Sequence, residues 1–411
     1  MLKLNTIKSQ KQANIVLCVI LVAAACVVHG VMQGVHDNYG IMMNGLVGTS
    51  GISYSYISFC IGVGALVYGV AQPFLGMLAL KKSNALVIML GIAFTVLGLV
   101  ITPMCRDRFS MLLFFGLVLP FGTTGLCFGI VMGALTPVIG EKRSAVVSGI
   151  VQASAGVGDA FMSPALQLAA DSFGIHAAMT AAAVPFLLMV PIVVWIGRVN
   201  KNNGVVRIEN KREISFAEIL RDALRERDYR LILIGFATCG FNMSIIESHL
   251  FSQYISYGIE SSVASLTLTV YGIATMLGAV ASGCLCSRFK MKNVLGTLYA
   301  MRVIISLGFL LVPKSVPFAF AATALLGACG DATVPPTSGI ISKRFGAEKM
   351  AVLYGFALIG HQVGAFASSF LGGVFVNCGA GYAPLWAANL CLASIAAGAS
   401  CMIKEKAKES V

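Results

Sequence analysis

Residues 198–229, RVNKNNGVVRIENKREISFAEILRDALRERDY, form the one long polar segment of the chain. Before it lie apolar stretches at 13–35, 52–79, 84–104, 109–135, 144–170 and 175–197; after it lie 230–257, 262–287, 293–312, 316–341, 350–376 and 382–403. Each is long enough for the ~20 residues that cross a hydrocarbon core as a helix. The polar segment therefore divides twelve expected spans six and six. We read 1–197 and 230–411 as two six-helix bundles of an all-α membrane protein, joined by a linker loop at 198–229.

The charges give the expected orientation. All but four of the 29 Lys and Arg fall at the N-terminus (Lys3, Lys8, Lys11), in alternate gaps (Lys81 and Lys82, Lys142 and Arg143, Arg198 to Arg230, Arg288 to Lys292, Lys343 to Lys349), or at the C-terminus (Lys404, Lys406, Lys408). The opposite gaps hold only Arg106, Arg108 and Lys314. Basic loops stay in the cytoplasm, so both termini are expected there, in a multi-pass protein of the inner membrane.

Composition excludes other classes. A chain with 57% hydrophobic and 11% charged residues has no polar surface to spare for a soluble globule. Its formal charge of +12 belongs to loops facing anionic lipid headgroups, and no basic patch interleaved with aromatics points to nucleic acid. The 12 cysteines are scattered without metal-ligand spacing and read as small apolar filler. Lysines ahead of Ala23-Ala24-Ala25-Cys26 imitate a lipoprotein signal, but the apolar run continues to Val35 and reads as a retained span.

The halves repeat one another. Gly76-Met-Leu-Ala-Leu-Lys-Lys after span 2 corresponds to Gly283-Cys-Leu-Cys-Ser-Arg-Phe-Lys after span 8, and Gly149 with Gly158 in span 5 corresponds to Gly355 with Gly364 in span 11. Parallel six-helix repeats around a midplane site are one architecture of secondary transporters. Gly125, Gly129 and Gly133 in span 4 are spaced to form one flat stripe for a neighbouring backbone.

Six plus six spans, a basic central loop and Gly-x4-basic loops after spans 2 and 8 resemble the major facilitator superfamily over nearly the whole chain. The loops depart from its pattern, with Leu80 and Ser287 where an Asp precedes the basic residue. Gly235-Phe-Ala-Thr-Cys-Gly-Phe-Asn242 followed by Glu247-Ser-His249, and Gly360-His-Gln-Val-Gly364, are similar to bacterial carriers of the monocarboxylate and oxalate/formate type. Those carriers place an Arg in span 8; span 8 here has no basic residue. The resemblance implies that spans 1, 4, 7 and 10 line a central cavity flanked by spans 2, 5, 8 and 11.

An ionisable group at membrane depth costs ~2.5 to 3.5 kcal/mol on insertion scales, so each needs a partner, a wet cavity or a snorkelling route. The candidates are His29, His36 and Asp37 in span 1, Asp159 in span 5, Glu247 and His249 in span 7, Arg302 in span 9, Asp331 in span 10 and His361 in span 11. His361, with Gln362 beside it, lies roughly 17 Å in at 1.5 Å per residue. Glu247 and His249, two residues apart on a helix, face different ways. Protonated His249 or His361 would hold a carboxylate; neutral, either would donate to a backbone carbonyl at a helix contact. Glu247, Asp331 and Asp159 are candidate proton carriers, with an outer-gate salt bridge as the other reading of Glu247. Arg302 is either an anion ligand or one half of a structural ion pair. Asn242, Thr123, Thr124, Gln33 and Asn38 add uncharged hydrogen-bonding groups.

Phosphate-loop, zinc-protease and nucleophile-elbow motifs are lacking, so no enzymatic reaction or cofactor is implied and energy comes from a gradient. The expected function is a proton- or exchange-coupled carrier, working as a monomer, for a small organic anion such as a mono- or dicarboxylate. The alternatives are efflux of an apolar or cationic compound, which the 18 Met and 24 Phe would also suit, and a membrane sensor that does not transport. A cysteine placed in 198–229 should be labelled by an impermeant thiol reagent only from the cytoplasmic side. Labelling from outside would reverse the orientation.

Overall fold

The computed structural model describes residues 2–139, 141–202 and 216–405. Among these the regular structure is all helical. Eleven segments are long and apolar enough to cross a membrane. One of them, Val147–Trp195, has 49 residues and is two spans joined at Gly174, whose φ of 81° and ψ of 163° leave the helical region. A left-handed φ suits glycine, and the break gives the expected twelve spans. Spans 1 to 4 are Cys18–His36, Tyr54–Lys81, Asn84–Met104 and Arg108–Thr136; spans 7 to 12 are Arg227–Ser256, Ser261–Arg288, Met291–Leu311, Val316–Phe345, Val352–Asn377 and Ala383–Met402. Residues 203–215 of the expected linker lie outside the described residues, and its end forms a helix, Phe216–Arg225. An even number of spans puts both chain ends on one side, the terminal face. There Arg344 of span 10 meets Glu226 at 2.8 Å and Asp228 at 3.8 Å, and Lys343 meets Glu405 at 3.2 Å.

Four spans are interrupted partway across. Span 1 leaves the helix at Asp37-Asn38 and resumes as Tyr39–Ser50. Span 7, its repeat counterpart, swells into a wide π turn at Ile245–Leu250. Span 4 has a π turn at Leu112–Val118 and a break between Thr124 and Phe128, and span 10 ends one helix at Cys329, makes a 3-10 turn at Asp331–Thr333 and restarts at Val334. The break in span 4 also corrects the expected stripe. Gly125 packs on the Gly91 backbone and Gly133 on Asn84, but the helix is re-phased between them and Gly129 meets nothing.

Within each bundle the same crossing recurs. A β-carbon on Gly158 of span 5 would collide with the Gly30 carbonyl of span 1, and one on Gly364 of span 11 with the Ala237 carbonyl of span 7. These backbone contacts allow no side chain.

Between the bundles, span 2 packs on span 11 and span 5 on span 8. Ser369 Oγ donates to the Ser58 carbonyl at 2.7 Å, and Thr269 Oγ1 to the Ala160 carbonyl at 3.0 Å. The contacting faces can be followed by their period of about two turns per seven residues. On span 2, Gly62 meets Phe366 and Gly69 meets Gln362, but Gly76 meets nothing within 4 Å. On span 5, Gly156 meets Gly272, but Gly149 meets nothing. Gly283 on span 8 and Gly355 on span 11 continue the opposing faces and are open as well. Among the described residues these faces therefore touch from the midplane to the far side and are open at the glycines toward the terminal face.

Valine at Gly158 or Gly364 should abolish detergent-stable protein, since overpacking costs about 1–3 kcal/mol even where neighbours can yield, and here the neighbour is backbone. Gly149→Val and Gly355→Val should accumulate like the wild type in size-exclusion profiles. Equal loss in both pairs would mean that the terminal halves are closed.

Candidate functional site

The interruptions carry acids. Asp37 sits in the break of span 1, and Gln33, one turn earlier, donates to its Oδ1 at 2.7 Å. The carboxyl of Asp159 on span 5 faces that of Asp37; it is buried, and its Oδ1 has no partner. Glu247 lies in the π turn of span 7, where its backbone carbonyl packs against Gly40. Asp331 opens the 3-10 turn of span 10, within reach of Gln152 on span 5 and facing His361 on span 11. These four carboxyls, two from each bundle, are near enough for their charges to act on one another. Gln33, Asp37, Gln152, Glu247, Asp331 and His361 are all half-buried, as expected of a lining. Wide turns free backbone groups and re-aim side chains, which is how acids on three different helices reach one place.

The cations are fewer and more committed. Arg302 is 1% exposed, and its Nη2 donates to the carbonyls of Cys329 at 2.7 Å and Gly330 at 3.1 Å. Among the described residues no carboxylate lies within 4.0 Å of it, so the expected ion pair is replaced by bonds to the broken end of span 10. Its Nε and Nη1 have no partner. His361 sets its ring 5.1 Å from that of Phe236, tilted by 51°, and leaves Nδ1 without a partner among the described residues. His36 lies between the rings of Tyr39 and Tyr68, and His29 beside Phe128.

Other expected ligands are engaged elsewhere. His249 Nε2 donates to the Ser369 carbonyl at 3.1 Å, so its Nδ1 accepts from the Tyr54 hydroxyl at 2.9 Å. That pairing is the neutral histidine at a helix contact, and it spans both bundles. Glu247, two residues earlier, faces the centre instead, as their spacing implies. Asn38 donates to the Gly34 carbonyl and accepts from Ser163, each at 2.7 Å, tying span 1 to span 5. Thr123 and Thr124 both donate to the Pro120 carbonyl, at 3.0 and 2.7 Å. Gln362 packs on Gly69 at the bundle contact, while Asn242 is buried with both amide atoms unpartnered. Asp37 and Gln152 are the members to which sequence reading gave no role. The four-residue spacing of Gln33 and Asp37 was the available signal for the first; nothing marked the second.

A family model, the Major Facilitator Superfamily, matches residues 22–255 and again 233–410. The chain belongs to the Major Facilitator Superfamily. It is 26% identical over 198 residues to a Bacillus subtilis (strain 168) protein described as an uncharacterized MFS-type transporter, YcxA; the match covers 45% of this chain and spans about half, 47%, of that relative. The facilitator fold also superposes on the nucleoside transporter NupG (TM-score 0.74, 14% identity, 95% of this chain and 100% of that one). It likewise matches a D-xylose-proton symporter (0.70, 11%, 94% and 98%) and the E. coli fucose:proton symporter (0.63, 14%, 96% and 100%). At such identities the structures show the fold alone. This facilitator is accordingly a multi-pass membrane protein.

In this facilitator, His249→Ala removes two buried hydrogen bonds and leaves the Tyr54 hydroxyl with Tyr382 alone, at 3.2 Å. Its thermal midpoint should fall, a typical intramolecular hydrogen bond contributing about 0.5–1.5 kcal/mol, and Tyr54→Phe should lower it less. A His249→Ala protein as heat-stable as the wild type would return His249 to the ligand set.

Proposed function

We propose that this facilitator is a proton-coupled carrier of a small polar compound that is uncharged or positively charged. The observation that supports this reading is the charge balance at the midplane: Asp37, Asp159, Glu247 and Asp331 converge, while Arg302 stands behind them bound to carbonyls. Two carboxyls facing each other share one proton more readily than they carry two charges, so the Asp37–Asp159 pair is a natural place for a proton to board and leave. Glu247 and Asp331, from the other bundle, complete a set that cargo and protons occupy in turn. Sugars and nucleosides, the cargo named for the structural neighbours, are uncharged polar molecules and agree with it. The basic loops favour a cytoplasmic membrane with both termini inside, and the parted terminal halves then correspond to a state open to the cytoplasm.

A second reading is the organic anion, a mono- or dicarboxylate carried with a proton or by exchange, as in the monocarboxylate and oxalate/formate type. The unpartnered Nδ1 of His361 and the free Nε and Nη1 of Arg302 favour it. An anion would then need the acid cluster largely protonated, which is a heavier electrostatic demand.

Proteoliposomes with an imposed pH gradient separate the two when challenged with labelled sugars, nucleosides, amines and carboxylates. The expected result is gradient-driven accumulation of an uncharged or cationic compound, reduced at least about tenfold in Asp37→Asn, the scale of one lost charge interaction. Glu247→Gln should impair accumulation more than exchange of labelled for unlabelled cargo. Accumulation of a carboxylate that survives Asp37→Asn but not His361→Ala would establish the second reading instead.

A further inference from the structure

An arginine stays charged at any physiological pH, so burying one inside a bilayer needs a reason beyond packing. Arg302 is among the largest fully buried side chains, with the Tyr299 ring centroid 5.4 Å from its guanidinium carbon. Its firm bonds go to the one place where span 10 has lost its own. Asp331 and Ala332 would normally give their carbonyls to the N–H groups four residues on, but those residues are Pro335 and Pro336, which have none. The ladder therefore shifts: Val334 N–H turns back to the Asp331 carbonyl, Thr333 N–H to Gly330 at 3.4 Å, and Ser282 Oγ of span 8 reaches the Ala332 carbonyl at 2.5 Å. That shift leaves the Cys329 carbonyl without its helical donor and Gly330 with a long one. Arg302 Nη2 supplies the first at 2.7 Å and joins the Thr333 hydroxyl on the second, each at 3.1 Å, placing a positive charge at the C-terminal end of the half-helix, where the dipole favours it.

We propose that Arg302 is a positioning residue for Asp331: by holding the carbonyls of Cys329 and Gly330 it keeps span 10 open one residue before the carboxyl and directs that carboxyl into the cavity. The proposal rests on the reading of Asp331 as a proton-exchanging group. From spans 11 and 5, His361, Tyr354, Gln152 and Asp159 face Asp331. From spans 1, 7 and 8, Asp37, Glu247 and Tyr271 do so, while Arg302 acts from behind. Closing the break would move Asp331 relative to all of them and leave Asp37 and Asp159 where they are.

Dicyclohexylcarbodiimide, which attacks carboxyls in their protonated form, tests this without knowledge of the cargo. Purified wild type and variants are labelled across a pH series, and modification at Asp331, Asp37 and Asp159 is read by peptide mass spectrometry. Arg302→Met removes the donor with a flexible apolar side chain and should fold, since an apolar replacement for a buried charge is often tolerated. In it the Asp331 labelling profile should move by about one pH unit, a tenfold change in proton affinity, with Asp37 and Asp159 unmoved. Arg302→Lys, which can still offer one nitrogen to both carbonyls, should restore most of the wild-type profile. If Arg302→Met does not accumulate, Arg302→Leu, which likewise lacks a donor, takes its place under the same expectation. An Asp331 profile identical to wild type, or equal displacement of all three carboxyls, overturns the positioning role. Asp331 unlabelled at every pH in the wild type while Asp37 reacts would remove the proton-exchange reading, and the proposal with it.

Discussion

Hydrocarbon offers no hydrogen-bond partner to a peptide group, so a membrane helix that breaks must find donors and acceptors inside the protein. This chain breaks or widens spans 1, 4, 7 and 10, and the surrounding structure follows from how each opening is satisfied. Asn38 uses its own side chain to bond the Gly34 carbonyl at the break in span 1, and Ser163 completes the amide from span 5. Thr123 and Thr124 serve the Pro120 carbonyl in span 4. Span 10 draws on Arg302 and Ser282 from two neighbouring helices. Polar residues that a sequence scan marks as candidate ligands are in several cases the internal solvent of these openings.

The same openings bring the acids together. In an uninterrupted helix the backbone is sealed and a carboxyl reaches the cavity only from a face fixed by the 3.6-residue period. A break or a π turn lets Asp37, Glu247 and Asp331 turn out of that register, so three helices from two bundles aim at one volume. Asp159, on an unbroken stretch of span 5, is carried there by the glycine crossing at Gly158, which brings its helix against span 1.

Much of the fold was legible because it follows from length, charge and repeated glycines. The polar segment at 198–229, the alternation of basic gaps and the paired Gly158 and Gly364 led to twelve spans in two related bundles. The site was legible only as a list of charged residues at depth. A π turn has no residue signature, so nothing told Glu247 from a residue on a regular face. His249 looked like a ligand because its partners, Tyr54 and Ser369, lie far away in the chain. The stripe at Gly125, Gly129 and Gly133 assumed a continuous helix, and the break between Thr124 and Phe128 defeats that assumption. Arg302 read as an anion ligand or one half of an ion pair, and its bonds go instead to two carbonyls freed by prolines six and seven residues past the first of them.

The seam between the bundles is built largely of backbone where glycines face it. Covering a leucine freezes rotamers and interlocks it with its neighbours; covering a glycine freezes no side chain at all. The uncovered faces at Gly76, Gly149, Gly283 and Gly355 are of this kind. Bringing such faces together, or letting them go, meets little resistance from interdigitated side chains and leaves few cavities behind. A seam of this composition behaves less like a zipper than like a bearing, which small forces suffice to turn.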